Sequence, residues 1–251
     1  MRNGSETPFF FGPDAGLFGM YHAPEGQRRS ALLMCPPLGQ DLMRCHRLYR
    51  QLAQAVAARG VAVLRFDYHG TGDSAGDSAE VDWTRCVADT VTAAAALRAR
   101  SGVERVVAFG ARLGASVALS ATDARFAEVI AWDAVFDGQA YMASLDALQA
   151  ALREDAGRFT RPRAQADVAA QWLGFAVGDD LRRQLAALRP ETLRAPSLAI
   201  DSTAAAPRTE GATRILPLGQ PTPWNDLRRL ESAILSHPLI RAVGDYLEEA
   251  A

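Results

Sequence analysis

The stretch Val106-Val107-Ala108-Phe109-Gly110-Ala111-Arg112-Leu113-Gly114-Ala115-Ser116 decides how the rest of the chain is read. An apolar, partly β-branched run enters a turn flanked by glycines and passes at once into small residues that suit a helix. Strand, tight turn and helix are the parts of a nucleophile elbow, whose frame is G-x-S-x-G. Here the central position holds Arg112 where the frame has serine.

Outward from the elbow, apolar runs alternate with helical periodicity. Upstream lie strand signals at 61–67 and at 30–35, the latter stopped by Pro36-Pro37, and an aromatic-rich hairpin at 8–11 and 17–22. Between them, Leu48, Leu52, Ala55 and Val56 recur at helical spacing within 43–59, and a second helix is expected over about 80–100. Downstream, 129–135 is a strand signal. Residues 137–194 then hold helical stretches and no convincing strand, broken by Gly157, Pro162, Gly174 and Gly178. Strands return at 196–201 and 213–218, and a helix closes the chain at 238–249. Short β-to-α spacings imply right-handed crossovers. The expected fold class is α/β, a mostly parallel central sheet with helices on both faces. Its core is expected to span 1–136 and 195–251, with 137–194 inserted as a helical cap.

Composition bounds the function. A chain of 251 residues, 49% hydrophobic and 22% charged, is long enough to bury a full core. A formal net charge of -2 gives no electrostatic case for nucleic acid or an anionic membrane. Cys35, Cys45 and Cys86 are too few and wrongly spaced for a disulfide framework or a zinc site, so no metal or other cofactor is expected. No apolar run is long enough to span a bilayer and the first residues lack a signal core, which makes the cytoplasm the simplest expected location.

Four segments narrow the reading further: Cys35-Pro36-Pro37-Leu38-Gly39-Gln40-Asp41, Leu64-Arg65-Phe66-Asp67-Tyr68-His69-Gly70-Thr71-Gly72-Asp73-Ser74, Gly110-Ala111-Arg112-Leu113-Gly114 and Trp132-Asp133-Ala134-Val135-Phe136-Asp137-Gly138. In this order they resemble the α/β-hydrolase superfamily over nearly the whole chain. The set is similar to serine aminopeptidase S33-like proteins, and in its elbow arginine to the bacterial exosortase A system-associated hydrolase type 2 subgroup. The resemblance implies acyl-transfer chemistry by a nucleophile, an acid and a histidine in that chain order. It also implies oxyanion-hole amides near Leu38 and Gly39 and at Leu113.

The residues argue against that chemistry. A guanidinium stays protonated and offers no lone pair, so Arg112 cannot attack a carbonyl. The four histidines are His22, His46, His69 and His237, and none lies between the last two. After the strand ending at Leu218, where the catalytic histidine belongs, stands Gly219-Gln220-Pro221-Thr222-Pro223-Trp224-Asn225. His237 is expected to cap the last helix. Asp201 or Glu210 could at most be remnants of the acid.

Arg112 at a helix N-terminus faces an unfavourable dipole of a few tenths to about 1 kcal/mol, and a buried guanidinium costs several kcal/mol unless paired. Asp41, Asp67, Asp133 and Asp137 are the candidate partners. Arg112 is then either an internal plug, the simpler reading, or an anchor for a ligand carboxylate or phosphate. The expected ligand site is Arg112 with Leu38, Gly39, Leu113, Asp41, Asp133, Asp137 and Trp224. The expected function is a degenerate, non-hydrolytic member of the fold that binds an acyl or carboxylate-bearing small molecule, a partner protein or a second copy of itself. Two alternatives stand beside it. One is an esterase, thioesterase or acyltransferase with Cys35 or a cap residue as an unorthodox nucleophile. The other is an accessory protein of exopolysaccharide or secondary-metabolite biosynthesis. The loop at 70–74, Ser116 and the pair Cys45 and His46 are expected to be structural.

Overall fold

The computed structural model describes residues 6–26, 30–155, 157–158, 161, 164, 170–202, 212 and 214–250. An antiparallel hairpin, β1 (Glu6–Phe11) and β2 (Leu17–His22), opens the chain. Then β3 (Ala31–Cys35), α1 (Gly39–Ala57), β4 (Ala62–Phe66), α2 (Trp83–Ser101), β5 (Val106–Ala111), α3 (Leu113–Ser120) and β6 (Glu128–Trp132) alternate. Next come α4 (Gly138–Arg153), a short hairpin of β7 (Gln171–Trp172) and β8 (Phe175–Ala176), and α5 (Asp179–Ala186). β9 (Leu198–Asp201), β10 (Arg214–Pro217) and α6 (His237–Glu249) complete the chain.

The sheet has eight strands in the order β1-β2-β4-β3-β5-β6-β9-β10. β2 pairs antiparallel with β4, and every pair from β4 to β10 is parallel. This is the α/β-hydrolase fold. Because side chains alternate across a strand, each central strand feeds two cores. Leu32, Val63 and Phe109 pack beneath α1 and α6 with Leu48, Leu52 and Leu239. Leu33, Leu64 and Ala108 pack on the other face with Leu97 of α2 and Val117 of α3.

The elbow keeps its glycines for a steric reason. A Cβ on Gly110 would lie 2.5 Å from the backbone of Gly114 and Ala115, and one on Gly114 would overlap the carbonyl oxygens of Cys35 and Pro36. The frame therefore lets α3 press onto β3 and β5 whether or not a nucleophile sits between the glycines. Arg112 holds the elbow's strained backbone, φ 51° and ψ -127°, a conformation that costs a non-glycine residue on the order of 1–3 kcal/mol.

Three expectations are corrected. α1 begins at Gly39 rather than Met43, because Gly39 takes φ 58° and turns the chain into the helix directly after Leu38. β6 ends at Trp132 rather than running to Val135, because Asp133 turns out of the strand with φ 44°. The segment between β6 and β9 is not purely helical: it contains the β7–β8 hairpin, too short for an apolar run to announce it. Its buried Tyr141, Trp172, Leu181 and Leu185 share one continuous core with α2 and α3. Gln184 pins it to the start of α2, accepting from Trp83 N at 2.8 Å and donating to Asp82. Pro162, an expected break, lies outside the described residues.

Candidate functional site at the elbow

Three side chains meet around Arg112. Its Nε donates to Asp41 Oδ2 at 3.4 Å, with the two side chains 16% and 10% exposed. Its Cζ lies 5.2 Å from the ring centroids of both Tyr141 and Trp224, so the guanidinium is flanked by two aromatic faces. Nη1 and Nη2 have no hydrogen-bond partner among the described residues. Of the four candidate carboxylates, then, Asp41 is the partner. Burial pushes its carboxyl above the usual range, against the pull of Arg112 and Arg44.

Asp67, Asp133 and Asp137 are engaged elsewhere, which corrects their expected roles beside Arg112. Asp67 accepts from Asp73 N at 3.1 Å within the glycine loop. Asp137 caps α4 by accepting from Ala140 N at 2.9 Å. Asp133 accepts from Ser202 N at 2.8 Å, from Ser202 Oγ and from Trp224 Nε1 at 2.7 Å. Trp224 is buried and packs on Trp132 at 5.0 Å between ring centroids.

A chain of contacts thus runs from elbow residue to aromatic ring to carboxylate: Arg112, Trp224, Asp133. The ring belongs to the loop after β10 and the carboxylate to the turn after β6, in the chain order nucleophile, acid, base. Asp201, one expected acid remnant, ends β9, with its backbone oxygen bonded to Leu218 N at 2.9 Å. Glu210, the other, lies outside the described residues. An indole N–H only donates; it has no lone pair with which to take a proton.

Sequence reasoning missed Arg44, Tyr49 and Tyr141. Arg44 is buried and donates to the backbone oxygens of Ser232 (3.3 Å), Trp224 (2.9 Å) and Pro223 (2.7 Å), which fixes the loop that carries Trp224. Tyr49 OH donates to Cys35 O and accepts from Ala111 N, both at 3.0 Å, tying α1 to two strands beside the elbow. The only available signal was spacing: Asp41, Arg44, Cys45, Leu48 and Tyr49 share one face of α1.

Cys35 does not serve the alternative chemistry. It is fully buried in the α2 face of the core, and burial pushes its thiol up to about 12, far from the thiolate a nucleophile needs. Cys45 is buried with its thiol likewise pushed up, whereas its neighbour His46 is exposed. His237 is the first residue of α6 rather than its cap; Ser236 caps, accepting from Leu239 N at 3.2 Å. Among the described residues, no histidine ring bonds a serine, threonine or cysteine. Ser116 is buried in packing, donating to Val135 O at 2.6 Å and accepting from Val135 N at 3.1 Å.

Beside this cluster lies a cavity of about 590 Å³. Leu38, Gly39, Asp41, Leu113 and Tyr141 form the wall nearest the elbow, and Phe175 and Val177 of the insertion close it from above. Arg112, Asp133, Asp137 and Trp224 are not in its wall.

The profile of the family described as serine aminopeptidase, S33, matches residues 42–170, just over half of the chain. The chain belongs to that family. No curated protein sequence matches this family member. Among solved structures it is similar to a hypothetical protein from Pseudomonas aeruginosa, with TM-score 0.64, 17% identity and coverage of 100% of this chain and 95% of the other. It is also similar to DcsB, solved in complex with its substrate analogue, with TM-score 0.61, 14% identity and coverage of 98% and 99%. A third is an a/b serine hydrolase without lid from Xanthomonas campestris, with TM-score 0.59, 16% identity and coverage of 100% and 96%. At these identities the likeness concerns the fold. No helix among the described residues is long and apolar enough to cross a membrane.

Proposed function

We propose that this S33-family chain does not hydrolyse acyl substrates and instead binds an acyl-bearing small molecule in the cavity beside the elbow, with 137–194 acting as a cap over the 1–136 and 195–251 core. The observation that carries this is the interlocked row Arg112, Trp224, Asp133. Ester cleavage needs an attacking lone pair, a ring nitrogen to accept its proton and a carboxylate to orient that ring. Here the first position is a permanent cation, the second a donor-only indole, and only the third retains its chemistry.

Arg112 acts as a plug: its Nε is committed to Asp41, two aromatic rings flank it, and it stands behind the cavity wall. The cavity itself is within the ordinary range for small-molecule sites, roughly 300–1,000 Å³. Its apolar wall, with Leu38, Leu113 and Phe175, suits an alkyl or acyl chain. The accessory role in exopolysaccharide or secondary-metabolite assembly that the elbow-arginine resemblance suggests fits such a binder, cytoplasmic and acting on a carried intermediate or through a partner.

The test is a panel of p-nitrophenyl esters and thioesters with a fluorophosphonate probe, run beside thermal melts with alkyl ligands. No turnover, no labelling and a ligand-dependent rise in Tm are expected. Turnover that disappears in Cys35→Ala, or a labelled serine, would overturn the proposal.

A further inference from the structure

One cavity residue has no part in the elbow cluster. Arg65, on β4, is register-paired with Met20 of β2 and Met34 of β3, and all three line the cavity. Its Nε donates to His22 Nε2 at 3.0 Å. Nη1 and Nη2 have no hydrogen-bond partner among the described residues.

The neighbouring carboxylates are taken. Glu6 Oε1 accepts from Arg50 Nε at 3.0 Å and from Gln54 Nε2 at 2.7 Å, while Asp67 Oδ2 holds the Asp73 amide. Neither forms an ion pair with Arg65. His22 cannot serve as a counter-ion either. It is buried, burial and the adjacent Arg65 lower its pKa to about 4, and its ring is therefore neutral at pH 7 with Nε2 as the acceptor. His22 orients the guanidinium without neutralising it. Burial of Arg65 weakens its hold on its proton, against the through-space pull of Glu6 and Asp67, neither of which bonds its fork.

We infer that Arg65 receives the anionic head of an alkyl- or acyl-tailed ligand, a carboxylate or a phosphate, through the two terminal nitrogens of its fork. The inference rests on the cavity being a ligand site and names the cation in its wall that would meet a ligand's head group. A guanidinium presents two parallel donors to an oxyanion, and the apolar wall of Phe18, Met20, Leu42 and Phe175 takes the tail. The anchor expected at Arg112 is thereby moved to a different arginine, one that lines the cavity.

Isothermal titration of the whole protein with decanoate, decyl phosphate and decanol tests this, in wild type and in Arg65→Gln. Wild type is expected to bind decanoate or decyl phosphate at least tenfold tighter than decanol. The preferred anion identifies which oxyanion the fork takes. In Arg65→Gln the preference is expected to vanish while decanol affinity stays within twofold, which also shows that the variant folds and keeps its cavity. If the probes bind wild type without preference for an anion, or if Arg65→Gln keeps the preference, the assignment to Arg65 is overturned and the cavity reading survives. If no probe binds wild type at all, the cavity reading itself fails, and this assignment with it.

Discussion

Arg112, which does not line the cavity, and Arg65, which does, differ in what touches their charge. Arg112 leans on the carboxylate of Asp41 and on two aromatic faces, and it sits behind the wall. Arg65 leans on a neutral imidazole and sits in the wall. The cation of Arg112 is in direct contact with an internal anion, whereas Arg65 touches only a neutral acceptor and feels Glu6 and Asp67 through space, which leaves its fork open to a ligand. On the proposed reading, the arginine more conspicuous in the sequence is thus the structural one.

The largest effect expected from breaking this contrast is chemical. Arg112→Ser alone should stay inert toward a fluorophosphonate, since Trp224 cannot accept the serine proton. Adding Trp224→His, with Asp133 in place to orient the ring, should raise labelling by about 10²-fold or more, the usual scale of general-base assistance. Equal labelling of the single and double variants would show that Trp224 does not occupy the base position. Stability should separate the two arginines next. Arg112→Met leaves Asp41 buried with only Arg44 nearby and should cost about 3 kcal/mol, at the low end for a broken buried pair. Arg65→Met strands no carboxylate but leaves the buried Nε2 of His22 without its donor, and should cost about 1–2 kcal/mol, the lower part of the range for an unpaired buried acceptor. Urea unfolding of both variants checks the order.

Titration sharpens the contrast with smaller effects of opposite sign. His22 has its pKa lowered from 6.5 to about 4, so between those values the unfolded chain binds a proton that the folded chain refuses. Its contribution to stability is full above pH 6.5 and is lost as pH falls through that window. Tm of His22→Gln should therefore fall less than that of wild type over the same range. Asp41 is raised above 3.8, so the folded chain takes its proton first, and its contribution grows as pH falls through the raised value. Wild type should accordingly gain Tm relative to Asp41→Asn on mild acidification, and no relative gain would mean that burial does not dominate at Asp41.

Much of the scaffold was legible because it rests on local rules. Period-2 and period-3.6 patterning gave the strands and helices of the core, and Gly110 and Gly114 marked a turn whose close packing admits no Cβ. The two-residue strands β7 and β8 carried no period to detect. At the site, the pairing of Arg112 with Asp41 was among the candidates, whereas Asp133 and Asp137 were indistinguishable from it until the turn after β6 aimed Asp133 at Ser202 and Trp224. Arg44 resembled any polar residue on an amphipathic helix, because the three backbone oxygens that hold it lie about 180 residues further along the chain.

By itself the sequence determined that this chain makes a mostly parallel sheet with an elbow, that the elbow residue is a cation without a lone pair, and that no histidine stands in the loop after the last strand. These are properties of residue identity and short-range spacing. The tertiary structure alone decided that the Trp224 indole lies between Arg112 and Asp133, that Asp41 is the carboxylate beside Arg112, and that Arg65 lines the cavity with its Nε on His22. A charged group's role depends on which partners and how much water surround it, and strands distant in the chain set both.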